Sequence, residues 1–185
     1  MPDTFRILGI PGSLRAGSYN RAALEAAREL APTGVSVDIY TLDDIPIYHG
    51  DHEQPLPEPV VRFKQAIREA DALLFATPEY NYSIPGMLKN AIDWATRPSG
   101  DNAFAGKAAA IMGASPSLLG TARAQYHLRQ VFVYLDVHAI NKPEVMIGQA
   151  AQRFDANNRL TDEKTRALIA QMLTSLVDFA RTLKR

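Results

Sequence analysis

Two short segments of this 185-residue chain gather the groups that could do chemistry. The first is Gly12-Ser13-Leu14-Arg15-Ala16-Gly17-Ser18-Tyr19-Asn20, between an apolar run at 5–10 and a helical apolar pattern. A loop that leaves a strand and enters a helix offers unpaired backbone N–H groups and a positive dipole end, which suits an anion. Ser13, Ser18 and Asn20 add side-chain donors, and Arg15 adds a fixed charge whose planar fork matches phosphate oxygens. A capped helix beside a surface arginine would use the same residues, since Ser and Asn are common caps. Gly12 and Gly17 stand at Walker-loop spacing, but Ser18 and Tyr19 occupy the places of the Lys and Ser/Thr. The Gly-x-Gly-x-x-Gly dinucleotide fingerprint is absent as well. One terminal phosphomonoester fits this loop best.

The second segment, Thr77-Pro78-Glu79-Tyr80-Asn81-Tyr82-Ser83-Ile84-Pro85-Gly86, follows the most continuously apolar run of the chain, 72–77. It offers aromatic surface at Tyr80 and in-plane hydrogen bonding at Asn81, the needs of a flat heteroaromatic ring. A proline-braced loop whose tyrosines pack on their neighbours is the plainer reading. Other signals lead nowhere. Gly113-Ala114-Ser115-Pro116-Ser117 resembles a hydrolase nucleophile elbow, but its last position is not Gly and no triad accompanies it. His49 and His52 lie with Asp51 and Glu53 in a proline-rich loop, which reads as a solvated cluster rather than a metal site. Asp38, roughly where a dinucleotide fold places its ribose acid, lacks the glycine fingerprint. A response regulator would need acids after the first strand and an Asp ending the third, where Gly12-Ser13 and Thr77-Pro78 stand.

The elements that must position these loops follow from periodicity. Strands are expected at 5–10, 35–39, 72–77, 107–113 and 139–147. Helices are expected at 20–31, 60–70, from Pro85-Gly86 to about Ala95, at 122–135, and around Leu168, Met172, Leu176 and Phe179, with Lys184 and Arg185 at the negative end. Strands alternating with helices predict one α/β domain over 1–185, a three-layer sandwich with five parallel strands. The order 2-1-3-4-5 and half of a dinucleotide-binding sheet both satisfy this pattern, and both place ligands beyond the carboxyl ends of the strands.

Composition narrows the class. Twenty basic residues balance twenty acidic ones, so the chain lacks the basic field of a nucleic-acid binder. It also lacks the acidic surface by which a one-electron shuttle docks. There is no cysteine, hence no disulfide, thiolate nucleophile or iron–sulfur ligand. The start has no signal-peptide pattern and the uncharged stretch 108–122 is too short and broken to span a bilayer, so a cytoplasmic address is expected.

The two segments, the second continuing as Met87-Leu88-Lys89-Asn90-Ala91-Ile92-Asp93-Trp94, closely resemble the NADPH-dependent FMN reductase family. Within it, the likeness is nearest to bacterial quinone reductases, also called chromate reductases, relatives of the small azoreductases. Gly120–Arg129 and Asn141-Lys142-Pro143-Glu144 carry the same likeness, which runs to about residue 150. The resemblance implies a flavodoxin-like fold, hence order 2-1-3-4-5, and noncovalent FMN. It implies phosphate contacts at Ser13, Arg15, Ser18 and Asn20, with Tyr19 beside them, and ring contacts at Pro78, Glu79, Tyr80, Asn81 and Tyr82. Ser115 matches a further flavin contact, although Pro116 departs from a loop expected to be richer in glycine. NADPH or NADH would give hydride to the flavin, and a quinone, chromate or azo acceptor would take the same place, with no particular catalytic side chain required. The alternatives are a flavodoxin-type carrier and a non-catalytic FMN-binding module. Arg97 is a candidate contact for the pyridine nucleotide or for a neighbouring subunit, or simply a helix-terminal arginine on the dipole. The family also implies a homodimer or homotetramer. Met87, Leu88, Ile92 and Trp94, and Tyr126, Leu128, Val131, Phe132, Val133, Tyr134 and Leu135, are read as the surplus apolar surface for it, with Arg123 and Glu144 as charged contacts between dimers.

Overall fold

The computed structural model describes residues 4–183, so Lys184 and Arg185 lie outside it. The chain runs β1 (Phe5–Pro11), α1 (Tyr19–Glu29), β2 (Val35–Ile39), α2 (Glu58–Glu69), β3 (Ala72–Ala76), α3 (Gly86–Ala95), β4 (Ala108–Ala114), α4 (Ala122–Leu135), β5 (His138–Ala139), β6 (Val145–Ile147) and α5 (Glu163–Leu183). The strands form one parallel sheet in the order β2-β1-β3-β4-β5, with β6 also on β4. This is the flavodoxin-like order rather than the dinucleotide half-sheet.

The fifth strand expected over 139–147 is two pieces. His138 and Ala139 pair with the start of β4, and Val145 to Ile147 pair with its end. Pro143 lies in the gap and has no N–H to give a ladder. Helix α4 holds the interruption in place. Arg129 Nη2 donates to Ile140 O at 2.7 Å and Gln125 Nε2 to Val145 O at 3.0 Å.

Strand alternation divides the interior into two cores. Ala72, Leu74 and Ala76 of β3 face α1 and α5, whereas Leu73 and Phe75 face α2, α3 and α4. Both faces are covered, so the central strands are apolar throughout. On α5 the buried stripe runs through Ile169, Met172, Leu173, Leu176, Val177 and Ala180. Leu168 and Phe179, expected in it, only flank the core.

The carboxyl ends of β1, β3 and β4 come close together, and two glycines permit it. A Cβ on Gly12 would lie 3.0 Å from Pro78 Cδ. A Cβ on buried Gly113 would collide with Thr121 Oγ1 and the Thr77 carbonyl. The loops after these three strands are thereby packed side by side.

Candidate active site

Ser18 caps α1, its Oγ accepting from Arg21 N at 3.3 Å. The first turn of α1 carries no acidic side chain, and the N–H groups of Tyr19 and Asn20 have no partner among the described residues. These are the features of a helix start open to an anion. Arg15 is exposed, its Nη2 donating to Gly17 O at 3.1 Å, so the guanidinium lies over the same loop. Ser13 Oγ accepts from Arg15 N at 3.3 Å.

Asn20 and Tyr19 do more structural work than their sequence reading implies. The Asn20 side chain is buried, accepting from Ala114 N at 2.8 Å and donating to Ala114 O at 2.9 Å. It ties the start of α1 to the end of β4, which leaves one amide hydrogen for anything else. The Tyr19 ring packs at 5.0 Å against Phe154, tilted by 42°, so the ring is engaged in the fold.

In the second loop Pro78 is buried and Tyr80 and Tyr82 are exposed. Tyr80 N donates to Ser83 O and Ser83 N to Tyr80 O, each at 3.0 Å, while Asn81 and Tyr82 both have positive φ, 51° and 69°. That is a type I′ turn, whose central positions favour Asn and Gly. A tyrosine there is strained, at about 1–3 kcal/mol for a residue so held. The turn is a short hairpin standing above the sheet, with the N–H groups of Asn81 and Tyr82 unpartnered among the described residues. A planar ring with acceptors on its edge fits these donors and the flanking aromatic surfaces.

Glu79 turns away from this surface. Its carboxylate is 6% exposed, pairs with Arg123, and accepts from Arg123 N at 3.0 Å and Ala124 N at 3.3 Å. It caps α4, whose own N-cap residue Thr121 makes no side-chain cap bond. The hydrogen bond to Glu79 raises the Arg123 guanidinium still further above its ordinary range. Arg123 also stacks 3.6 Å from the Tyr82 ring centroid, and His127 Nδ1 lies 3.0 Å from Ser83 Oγ. Sequence reading connected neither Arg123 nor His127 to this loop. Both are separated from it by about forty residues, and only the helix spacing of 123 and 127 places them on one face.

Ser115 helps build the third loop. Its Oγ accepts from Ser117 N at 3.1 Å, its N–H donates to Ile147 O and its carbonyl accepts from Ala150 N. Leu118 and Leu119 project from this loop into solvent.

Arg97 stands apart from all three loops within one chain. It follows the far end of α3, whose ten residues span about 15 Å. There its Nε lies 3.8 Å from Glu53 and its guanidinium 5.8 Å from the Tyr48 ring.

A doubly covered parallel sheet with an anion-accepting helix start and a strained aromatic turn at its carboxyl edge defines a flavodoxin-like nucleotide-cofactor protein. The family model for NADPH-dependent FMN reductases matches residues 5–152, and the chain belongs to that family. It is 56% identical, over the whole of both chains, to an NAD(P)H-dependent FMN reductase of Pseudomonas aeruginosa. It is 42% identical to a 2-hydroxy-1,4-benzoquinone reductase of Burkholderia sp., covering 95% of this chain and 96% of that one. Among solved structures, a flavoenzyme NAD(P)H:acceptor oxidoreductase of Paracoccus denitrificans superposes with a TM-score of 0.87 at 38% identity, covering 96% and 97% of the two chains. The protein is thus an oxidoreductase that uses FMN with NAD(P)H as electron donor.

Proposed function

We propose that the whole chain works as one FMN-binding domain passing hydride equivalents from NAD(P)H to quinones, with chromate and azo compounds as further acceptors. One observation supports this reading above the others. The open helix start with Arg15 and the donor-bearing turn at 80–83 follow neighbouring parallel strands at the carboxyl end of the sheet, in a chain of this family. FMN, when bound, supplies the two-electron chemistry. The N–H groups of Tyr19 and Asn20, with Ser13, Arg15 and Ser18, would hold its phosphate. Pro78, Tyr80, Asn81 and Tyr82 would hold its ring. Glu79 acts through α4, and Ser115 shapes the third wall.

The purified protein is expected to be yellow, and NADPH should bleach it rapidly in stopped flow with no partner reductase. A colourless chain that takes up no added FMN overturns the reading. An FMN-loaded chain that NADPH does not reduce is a one-electron carrier or a binding module instead.

The site is completed, on this reading, by a second copy of the chain. Tyr126, Val133 and Tyr134 lie exposed along α4, and Tyr82, Leu118 and Leu119 are exposed on the loops near its start. Of the apolar residues read on α3 as such surface, Met87 is half-buried and the others are covered within the chain. Leu88, Ile92 and Trp94 are buried in the monomer, and Trp94 Nε1 donates to Pro46 O at 2.8 Å. Arg123 pairs with Glu79, and Glu144 accepts from Tyr126 Oη at 2.9 Å within the chain. Sedimentation at micromolar concentration should give about twice or four times the 20.4 kDa chain mass. A fully active monomer refutes the assembly. Arg97, remote from its own chain's loops, would then serve the flavin of the partner, and Arg97→Ala should raise KM for NADPH. Unchanged kinetics assign it to the Glu53–Tyr48 cluster alone. The cytoplasm, where NAD(P)H is held, is the proposed place of action.

A further inference from the structure

Tyr82 is a bulky residue in a backbone conformation suited to Asn or Gly, and within its own turn only the two backbone bonds between Tyr80 and Ser83 oppose that strain. A further holding contact comes from α4. The Arg123 guanidinium lies over the Tyr82 ring, 3.6 Å from its centroid, and is anchored to the Glu79 carboxylate at the root of the same loop. Glu79 in turn is fixed by the Arg123 and Ala124 N–H groups. Loop root, helix start and turn tip therefore close into a ring through one side chain. His127, one helical turn further along α4, adds a second tie at Ser83.

From this geometry we infer that Arg123 is a positioning residue: stacked on Tyr82 and anchored by Glu79, it keeps the turn 80–83 formed before FMN arrives. The inference rests on the reading that this turn receives the flavin ring. A turn that must first be ordered weakens binding, and one ordered beforehand does not. A planar, delocalised guanidinium can stack and pair with a carboxylate at once, which a lysine ammonium cannot.

Two measurements on the full-length apoprotein test it. The first is amide hydrogen exchange at Tyr80 and Ser83, whose N–H groups close the turn. Arg123→Lys keeps a cation for Glu79 and gives up the planar stack. It should speed exchange at both amides about tenfold while leaving the β3 and β4 amides unchanged. Unchanged exchange at Tyr80 and Ser83 overturns the proposal, whether or not the chain binds FMN. The second is titration of apoprotein with FMN. Arg123→Lys should weaken affinity about tenfold in the parent, and less than twofold in a Tyr82→Gly background, because glycine adopts positive φ without help. An equal loss in both backgrounds means that Arg123 touches the flavin directly and the positioning role is wrong. If the parent binds no FMN, the flavin reading itself has failed, and the exchange result alone decides whether Arg123 holds the turn.

Discussion

Lys64→Met is expected to lower the melting temperature by about 10 °C, through loss of about 2–4 kcal/mol at roughly 2–4 °C per kcal/mol for a chain of this size. Lys64 is 1% exposed, on α2 in the apolar company of Phe63 and Ile67. Its ammonium is fully used, bonding to Arg97 O, to Asp101 O at 2.9 Å and to Asp101 Oδ2 at 2.7 Å. Methionine fills similar space and leaves two carbonyls without their donor. Breaking a buried ion pair usually costs about 3–5 kcal/mol. The estimate sits lower because Asp101 is half-exposed and keeps Arg68 as a partner. The Lys64 ammonium holds the Asp101 carboxyl below its ordinary range, mainly by hydrogen bonding. A depressed carboxylate adds stability above its unfolded value, near pH 4, and loses it as pH falls through the folded value. The gap between parent and variant should therefore narrow on acidification below about pH 4. Thermal melts across that range check both statements, and a variant as stable as the parent at pH 7 refutes them.

The sequence exposes the strands most clearly where periodicity and burial agree, while their order comes from the family resemblance. The run 72–77 is apolar without interruption because β3 lies between two covered faces, and α4 runs over the 122–135 that its apolar positions imply. Legibility fails where a non-local contact decides. The break between β5 and β6 depends on Pro143 and on Arg129 and Gln125 reaching across from α4. The wide apolar pattern of α3 read as surplus surface, yet the 42–57 loop folds back and covers Trp94 through Pro46 and Tyr48. The candidate site shows the same division. Both cofactor loops are visible as motifs, because each is continuous in the chain. Their internal roles are not, because Asn20 meets Ala114 and Glu79 meets α4 only after folding. A motif names the residues at a site without saying which of them face the ligand and which hold the others in place.

Arg15→Ala should weaken FMN binding about tenfold to a hundredfold, the equivalent of losing one charge-assisted bond at roughly 1.5–3 kcal/mol. The guanidinium rests on Gly17 O, an exposed contact within its own loop. A phosphate seated on the Tyr19 and Asn20 N–H groups would offer it a stronger, doubly hydrogen-bonded partner a few ångströms away. The loop itself does not depend on Arg15, since Ser18 caps α1 and Asn20 ties it to β4. Stability should therefore change by less than about 0.5 kcal/mol, the usual range for an exposed position. Ser18→Ala is the contrasting case, removing a cap at about 1 kcal/mol of stability together with a proposed phosphate contact. Riboflavin carries the same ring without the phosphate, which makes it the decisive ligand. Arg15→Ala should reduce affinity for FMN and leave riboflavin untouched, and the FMN loss should shrink at high salt as the charge is screened. An equal loss for both flavins would move Arg15 from the phosphate to the ring, and a variant that keeps FMN through dialysis as well as the parent would remove it from the site.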